Sequence, residues 1–407
     1  MAIANFVSFC GRIESCMKGE IASATDLISE GSHLIAGFDD RPAGPTLIAV
    51  GGIHGNEPSG VKALLNVARR VGQMRGELNG RVYFLAGNTR ALRRNLRYID
   101  SDLNRHWIPD NLSKAGDGLA EDAELIELKS ILDHVLATAA DEVFVLDLHT
   151  TSAAGRPFAT LGDTLRNRHF AKRFPITVLL GIEEQLRGTL LEFLNNRGAV
   201  TLGFEGGLHA SDKAVANHEA LVWLALVNSG ILSERKVRDL DDHFKTLSAS
   251  TGIPSIVEVR YRQPVVPKEE FKMDPGYNNF DPIKKGQVLA SNKYGTIRAV
   301  EGGMVLMPLY QSLGEDGFFI VRNVAPFWIW LSEVLRRLHA ATVMPILPGV
   351  TRQPDDPETL IIDTSVARFF PLQIFHLLGF RRRRWIANTL VVSRRRFDTR
   401  SPFVKQK

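Results

Sequence analysis

Cysteine is nearly absent. Cys10 and Cys16 are the only two in 407 residues, so no disulfide framework holds this fold. A cysteine-based structural zinc site, which takes about four ligands, is excluded as well. Long apolar runs are also missing. Every hydrophobic stretch meets a charge or a glycine before the roughly 18 to 20 residues that a bilayer requires, so no membrane insertion is expected. The opening run MAIANFVSFCGRIESCMKGE lacks the basic start, apolar stretch and small-residue cleavage site of a secretory signal. A cytoplasmic location is therefore expected. Acidic residues are scarce in one place: from Arg381 to Lys407 there are ten Lys or Arg against Asp398 alone. That segment carries +9 in a chain of net charge +5, which leaves −4 for the rest. The high pI belongs to the tail, and any expectation about phosphates is confined to it. The remaining balance, 44% hydrophobic and 23% charged, is that of a globular protein long enough for two or three domains.

Between residues 46 and 231, short β-rich runs alternate with amphipathic stretches. TLIAVGG (46–52), RVYFLAG (81–87), VFVLDLH (143–149), ITVLLG (176–181) and VTLGFEGG (200–207) are apolar on successive residues, as in strands buried on both faces. Pro58 opens a helical pattern carrying Val61, Leu64, Leu65, Ala68 and Val71 on one face. Two further helices are expected at about 122–140 and 213–231. The alternation predicts an α/β domain with a mainly parallel sheet, spanning residues 1–248. Residues 249–325 are rich in Gly, Val and turn signals and predict a smaller all-β domain, with the charged segment 233–243 as the connection. Residues 326–407 read as a C-terminal appendage with basic Arg clusters, beginning with one helix in FWIWLSEVLRRLH. Pro345, Pro348, Pro354 and Pro357 argue against a regular element at 343–358.

Ligands of a parallel sheet bind at its carboxyl edge, and three conspicuous segments fall there. Gly51-Gly52-Ile53-His54-Gly55-Asn56-Glu57 places an imidazole and a carboxylate three residues apart on a Gly-rich turn, where one turn can point both at one ion. Asp147-Leu148-His149 places a second His at a strand end. Two His and one Glu form a tripod that leaves zinc a fourth position. Phe204-Glu205-Gly206-Gly207 adds a carboxylate suited to proton transfer. Each piece alone has a plainer reading: a strand-end His satisfied by backbone, a Glu favouring a helix N-terminus, a Glu paired with Arg. The combination at three strand ends is more specific. Between the first two lies Arg97-Tyr98-Ile99-Asp100-Ser101-Asp102-Leu103-Asn104-Arg105, where two Arg and an Asn suit a substrate bearing a carboxylate.

Together these motifs resemble the succinylglutamate desuccinylase/aspartoacylase family, relatives of the zinc carboxypeptidases. The resemblance spans about residues 45–325, because PGYNNFDPIKKGQVLA and GGMVLMPLYQ also look like that family's β-domain. It implies a zinc-carboxypeptidase-like fold, with one Zn2+ per chain bound by His54, Glu57 and His149. It implies further that Arg97 stabilises the oxyanion, that Asn104 and Arg105 bind the substrate carboxylate, and that Glu205 is the general base. The run FEGGLHASD departs from the Glu-Val-Gly-Pro that aspartoacylases carry at this place. Those enzymes also place an Arg and a Tyr shortly before the catalytic Glu; Arg187 and Arg197 are both available for the Arg, and nothing in the sequence selects either. The resemblance therefore reaches the reaction type further than the acyl group.

The expectation is a zinc-dependent hydrolase, a deacylase cleaving the amide bond of a small N-acyl amino acid or related carboxylate-bearing substrate. The first alternative is a carboxypeptidase-like peptidase or ester hydrolase at the same zinc site. The second is a binding or regulatory protein acting through the basic tail. Nucleic acid is not expected as a partner, since Phe380, Trp385 and Phe397 interleave with aliphatic residues as in a small folded unit with a basic edge. The oligomeric state is open, a homo-oligomer included. Asp147 is read either as orienting a ligand or as capping a loop. His106 is read as a loop residue beside the site and not a ligand, and His218 as structural. His209, four residues after Glu205, and Tyr277 in the β-domain could each touch substrate, but the plainer structural reading is taken for both.

Overall fold

A computed structural model describes residues 32–114, 118–248, 252–366 and 372–404. Cys10, Cys16 and the opening run, with Lys405 and Lys407 at the other end, lie outside the described residues. The first eight strands are β1 (Leu34–Asp39), β2 (Thr46–Gly51), β3 (Arg81–Ala86), β4 (Val143–Thr151), β5 (Phe158–Thr160), β6 (Thr177–Leu180), β7 (Val200–Leu208) and β8 (Ile256–Pro264). The expected strands are all present; β1 and the three-residue β5 are additions. β2 pairs in parallel with both β3 and β4, and β4 pairs in parallel with β7. β1 closes that edge antiparallel to β3, and β5 runs antiparallel to β7. The sheet is therefore mixed, and parallel through the strands that end at the motifs.

All six residues of β2 are buried. Leu47 and Ala49 belong to one apolar cluster, while Ile48 and Val50 belong to another. That alternation shows both faces of the sheet covered, which is why the run is apolar at every position. On one face the Ser59–Gly72 helix buries Leu64, Val67 and Val71 beside the Asp212–Asn228 helix. On the other, the Ala120–Ala137 helix buries Leu125, Leu128, Leu132 and Val135. Each such side chain contributes about 1.5 to 3 kcal/mol.

The β-rich character expected after residue 249 is present, but not as a separate sheet. Its strands are β9 (Lys272–Met273), β10 (Pro282–Ile283), β11 (Val288–Asn292), β12 (Gly295–Arg298), β13 (Gly303–Leu306) and β14 (Asp316–Asn323). β8 pairs in parallel with β6, then β14, β13 and β10 follow antiparallel, giving an 11-stranded sheet. Only β12-β11-β9 form a sheet of their own. The continuity has a packing cause: Phe158 and Leu179 from the first part share a buried cluster with Val257, Phe280, Phe319 and Val321. The 233–243 connection is partly helical, since a helix begins at Leu240.

The C-terminal part opens with the expected helix, Pro326–Arg337. Strands β15 (Val350–Gln353), β16 (Asp356–Asp363), β17 (Phe380–Ile386) and β18 (Thr389–Arg394) form a sheet ordered β15-β16-β18-β17. The expectation of no regular element at 343–358 is thus corrected. Pro354 sits in the turn between β15 and β16, and Pro357 precedes the pairing of β16 with β18, which starts at Thr359. Neither position needs an N–H for that ladder.

Several arginines of the C-terminal part are paired within the protein. Arg381 contacts Asp163, Glu183 and Glu184, with Glu183 at 3.1 Å. Arg336, 0% exposed at its side chain, lies between Asp163 and Asp398. Arg381 thus faces acids of the α/β part, and Arg336 is shared between that part and Asp398 of the tail. Arg394 pairs with Glu358 at 2.7 Å. No helix among the described residues is long and apolar enough to cross a membrane.

Breaking one partner of a buried ion pair costs about 3 to 5 kcal/mol, because the other charge stays buried. Arg336→Met is therefore expected to lower unfolding stability in urea by that order. Adding Asp398→Asn should recover part of the loss. A single variant as stable as the parent would remove this cluster from the account of how the C-terminal part is held.

Candidate metal centre and cleft

β2 ends at Gly51, and the chain turns through His54 and Glu57 into the Ser59–Gly72 helix. The turn runs tightly against its surroundings: a Cβ on Gly55 would stand 2.1 Å from the Ala91 carbonyl carbon, and Gly52 has φ +73°. Only glycine fits both demands. The Glu57 N–H donates to the His54 carbonyl at 3.1 Å, which folds the two side chains toward each other. His54 Nδ1 lies 2.9 Å from Glu57 Oε1, and His149 Nδ1 lies 3.3 Å from Glu57 Oε2. The Thr150 N–H donates to Glu57 Oε2 at 2.8 Å.

The donor atoms of His54, Glu57 and His149 all lie within 4.8 Å of one another. In a tetrahedral zinc site with bonds of about 2.0 to 2.1 Å, neighbouring ligand atoms stand about 3.3 Å apart. The 2.9 and 3.3 Å separations are close to that edge, so these residues fit a zinc ion. Behind each imidazole stands a carboxylate. His149 Nε2 is 2.9 Å from Asp147 Oδ2, and His54 Nε2 is 3.1 Å from Asp102 Oδ1. A proton held on His149 Nε2 by Asp147 leaves its Nδ1 lone pair free for a cation; His54 Nε2 stands between Asp102 and Arg97 Nη2, the latter at 3.0 Å.

Charge follows this geometry. Burial alone would raise the Glu57 carboxyl, but His54 and His149 hold it well below the usual carboxylate range. Burial opposes charge on His149 too, yet Asp147 and Glu57 keep it well above the ordinary imidazole value. Asp102, despite burial, is held well below its ordinary value by His54 and Arg97.

Glu205 is the direct β7 neighbour of His149 on β4, so both side chains leave the same face of the sheet. Its Oε2 is buried with no hydrogen-bond partner among the described residues. Burial pushes this carboxyl up to about 7, with His149 pulling the other way. Arg97 stands 3.5 Å from Glu57 and 3.1 Å from Asp102. Its loop is held from below by buried Glu121, which accepts the N–H groups of Ile99 at 2.6 Å, Asp100 at 3.0 Å and Ser101 at 3.3 Å.

Asn104 and Arg105 line the same cleft. Asn104 Oδ1 accepts the Leu190 N–H at 2.8 Å, so the Asn also anchors a neighbouring loop. Arg105 Nε reaches Glu315 at 3.4 Å, and Glu315 is 62% exposed. That contact is weak and easily exchanged for another carboxylate.

The structure thus brings together every expected site residue: His54, Glu57, Arg97, Asn104, Arg105, His149 and Glu205 all line one cleft of about 180 Å³. Asp147 lies there too, in the orienting place. Of the remaining candidates, His209 departs from its plainer reading, whereas His218 and Tyr277 keep theirs. His209 lines the cleft, with Nδ1 2.7 Å from Thr150 Oγ1 and Nε2 3.2 Å from Gln311. Gln311, which also accepts from Asn56 at 3.0 Å, closes the run GGMVLMPLYQ, but that run marks the β-rich part and not the cleft, so the sequence does not single the residue out. His218 packs edge-on against Phe204 behind the strand, and burial pushes it down to about 3. Tyr277 bonds within the β-rich part, to the Val288 carbonyl at 2.8 Å. Arg197 stacks on Phe193 and pairs with Asp133, and Arg187 is exposed; neither lines the cleft.

Residues 43–205 match the family model of the Succinylglutamate desuccinylase/Aspartoacylase catalytic domain. The chain is 30% identical over 131 residues to a succinylglutamate desuccinylase of Pseudomonas paraeruginosa, covering 32% of this chain and 38% of that protein. It is 32% identical over 147 residues to an N-acyl-aromatic-L-amino acid amidohydrolase (carboxylate-forming) of Xenopus tropicalis, covering 33% and 46%. The matches thus span less than half the length of these relatives. Among solved structures, the succinylglutamate desuccinylase/aspartoacylase of Rhodobacter sphaeroides superposes with a TM-score of 0.55 at 19% identity, covering 72% of this chain and 88% of that one. That likeness extends the fold well beyond residue 205. The motifs at the three strand ends and the matched stretch agree: residues 43–205 carry the catalytic domain of the succinylglutamate desuccinylase/aspartoacylase family.

Proposed function

We propose that this protein is a zinc-dependent amidohydrolase that cleaves the amide bond of a small N-acyl substrate bearing a carboxylate. The observation that carries the reading is the convergence of His54, Glu57 and His149 on one point, with Glu205 beside His149 in register. A zinc ion held by the three side chains supplies a Lewis acid for the amide carbonyl and lowers the pKa of a water molecule. Glu205 takes a proton from the attacking water and returns it to the leaving amine. A carboxyl near 7 is suited to both steps, and its unpartnered Oε2 leaves an acceptor free for the water. The Arg97 guanidinium hydrogen-bonds the tetrahedral oxyanion, a role typically worth about 3 to 4 kcal/mol. Arg105 exchanges exposed Glu315 for the substrate carboxylate, while Asn104 holds the adjoining loop.

Residues 1–248 form the catalytic unit in this reading, and 249–325 close over the cleft through Gln311 and Asp316. Residues 326–407 brace the whole. A cytoplasmic location is part of the proposal. Nothing observed favours a peptidase or an esterase over the deacylase. A role for the tail as a phosphate-binding module loses support, because Arg381 meets acids inside the protein.

Chelation is expected to abolish hydrolysis and added zinc to restore it. Purified Glu57→Ala and His149→Ala should contain little zinc by atomic emission, and Asp147→Asn should weaken binding by about 10- to 100-fold. Full occupancy in Glu57→Ala would dismiss the ligand assignment.

Glu205→Gln keeps the side chain's size but removes the base. Its kcat should fall by about 10²- to 10⁴-fold with zinc content unchanged. A kcat equal to the parent's would make Glu205 structural.

Arg105→Ala should chiefly raise KM, because the carboxylate it holds does not react. The rise should nearly vanish on an analogue carrying an amide in place of that carboxylate. An equal penalty on both substrates would mean that Arg105 supports its loop and does not read charge.

A further inference from the structure

The cleft has an end remote from the metal centre, and part of its wall comes from the C-terminal segment. Arg395, the residue after β18, lines the cleft although it lies 190 residues beyond the stretch matched to the family, which ends at 205. Its side chain is 9% exposed. Its Nη2 donates to Glu183 Oε2 at 3.2 Å, its Nη1 to Asn196 Oδ1, and Nη1 stands 3.8 Å from Glu192 Oε1. Glu183 is shared with Arg381 at 3.1 Å. Glu192 also accepts the Gly188 N–H at 3.0 Å, so the pairing holds the loop that carries Leu186. The same cleft is lined by Leu161, Ile182, Leu186, Leu191 and Phe319.

The charge count at the remote end decides what fits there. Arg395 and Arg381 meet Glu183, Glu184 and Glu192, so no positive charge is left over. A second substrate carboxylate would have to be buried there without a cation, at a penalty of several kcal/mol. An aliphatic or aromatic group would meet apolar walls and leave the ion pairs intact. We propose that the C-terminal segment completes the substrate pocket, and that Arg395, neutralised by Glu183 and Glu192, is a specificity-determining residue that admits an uncharged apolar group and rejects a second carboxylate. The proposal rests on the hydrolase reading above and narrows its substrate class to N-acyl amino acids with one carboxylate.

The test uses the full zinc-loaded chain and two near-isosteric pairs, one varying each side of the scissile amide. The first is N-(4-methylpentanoyl)- against N-succinyl-leucine; the second is N-acetyl-leucine against N-acetyl-aspartate. In the pair whose variable group enters the remote end, kcat/KM should favour the neutral member by tenfold or more. Glu183→Gln with Glu192→Gln leaves the Arg395 charge unmatched and should reduce that preference at least tenfold. Adding Arg395→Met should restore it. Arg394→Ala, whose partner Glu358 lies outside the cleft, should leave the preference unchanged. Should the double variant not fold, as judged by circular dichroism, Glu192→Gln alone must shift the preference in the same direction. The inference is overturned if the parent prefers the charged member in both pairs, or if the carboxylate variants move both members equally.

Hydrolysis of no member would overturn the hydrolase reading instead. Calorimetry of 4-methylpentanoate and succinate then reads the pocket without chemistry. Tighter binding of 4-methylpentanoate, with succinate gaining in Glu192→Gln, supports the inference. Tighter binding of succinate to the parent, or binding of neither acid, overturns it.

Discussion

The register of three parallel strands is the constraint on which the rest depends. Gly51 on β2 stands beside Leu148 on β4, and Leu148 beside Phe204 on β7. One residue later His149 stands beside Glu205. Side chains alternate faces along a strand, so a slip of β4 by one residue would put Leu148 where His149 is and turn the ligand away from Glu57. The apolar clusters on both faces oppose such a slip, since it would move Leu146 and Val145 to the wrong layers as well. The candidate metal centre is thus held by the same packing that holds the sheet.

The other half of the site hangs from a loop, and loops need anchoring of a different kind. Residues 97–105 have no ladder to fix them. They are held by Glu121, which takes three consecutive N–H groups and the Asn88 side chain at 3.0 Å. Glu121 lies in the first turn of the Ala120–Ala137 helix, whose apolar face is locked into the core. Asp102 then ties the loop to His54 and to Arg97 at once. The position of the Arg97 guanidinium is therefore referred to His54 through one carboxylate and to the core through another.

Much of this was legible in sequence where the signal was local. The strands that lead to His54, His149 and Glu205 could be read because each motif sits next to a continuous apolar run, and a buried parallel strand writes itself that way. Other features depended on distance. Gln311 meets His209 across 102 residues of chain, and the β-rich part joins the main sheet through β8 and β6 with no periodicity to announce it. β5 has three residues, too few for any alternation to register. The prolines at 343–358 were misread because proline excludes a ladder N–H and not a strand as such.

The tail shows why net charge is a weak guide to partners when pairing is internal. By composition, residues 381–407 are a strongly positive segment attached to a mildly negative body. The structure sets Arg381, Arg394 and Arg395 each within 3.2 Å of a carboxylate oxygen, and the partners of Arg381 and Arg395 lie some 200 positions earlier. Paired charges at that range cancel within the protein and project little field beyond the Debye length of about 8 Å. The excess acid of the body and the excess base of the tail are, in part, two sides of one contact. That contact borders the cleft at Arg395, so the segment that composition marks as an appendage helps to shape the cleft. A buried guanidinium already matched to carboxylates acts there as a polar but neutral wall, and its effect on a substrate is exclusion before attraction.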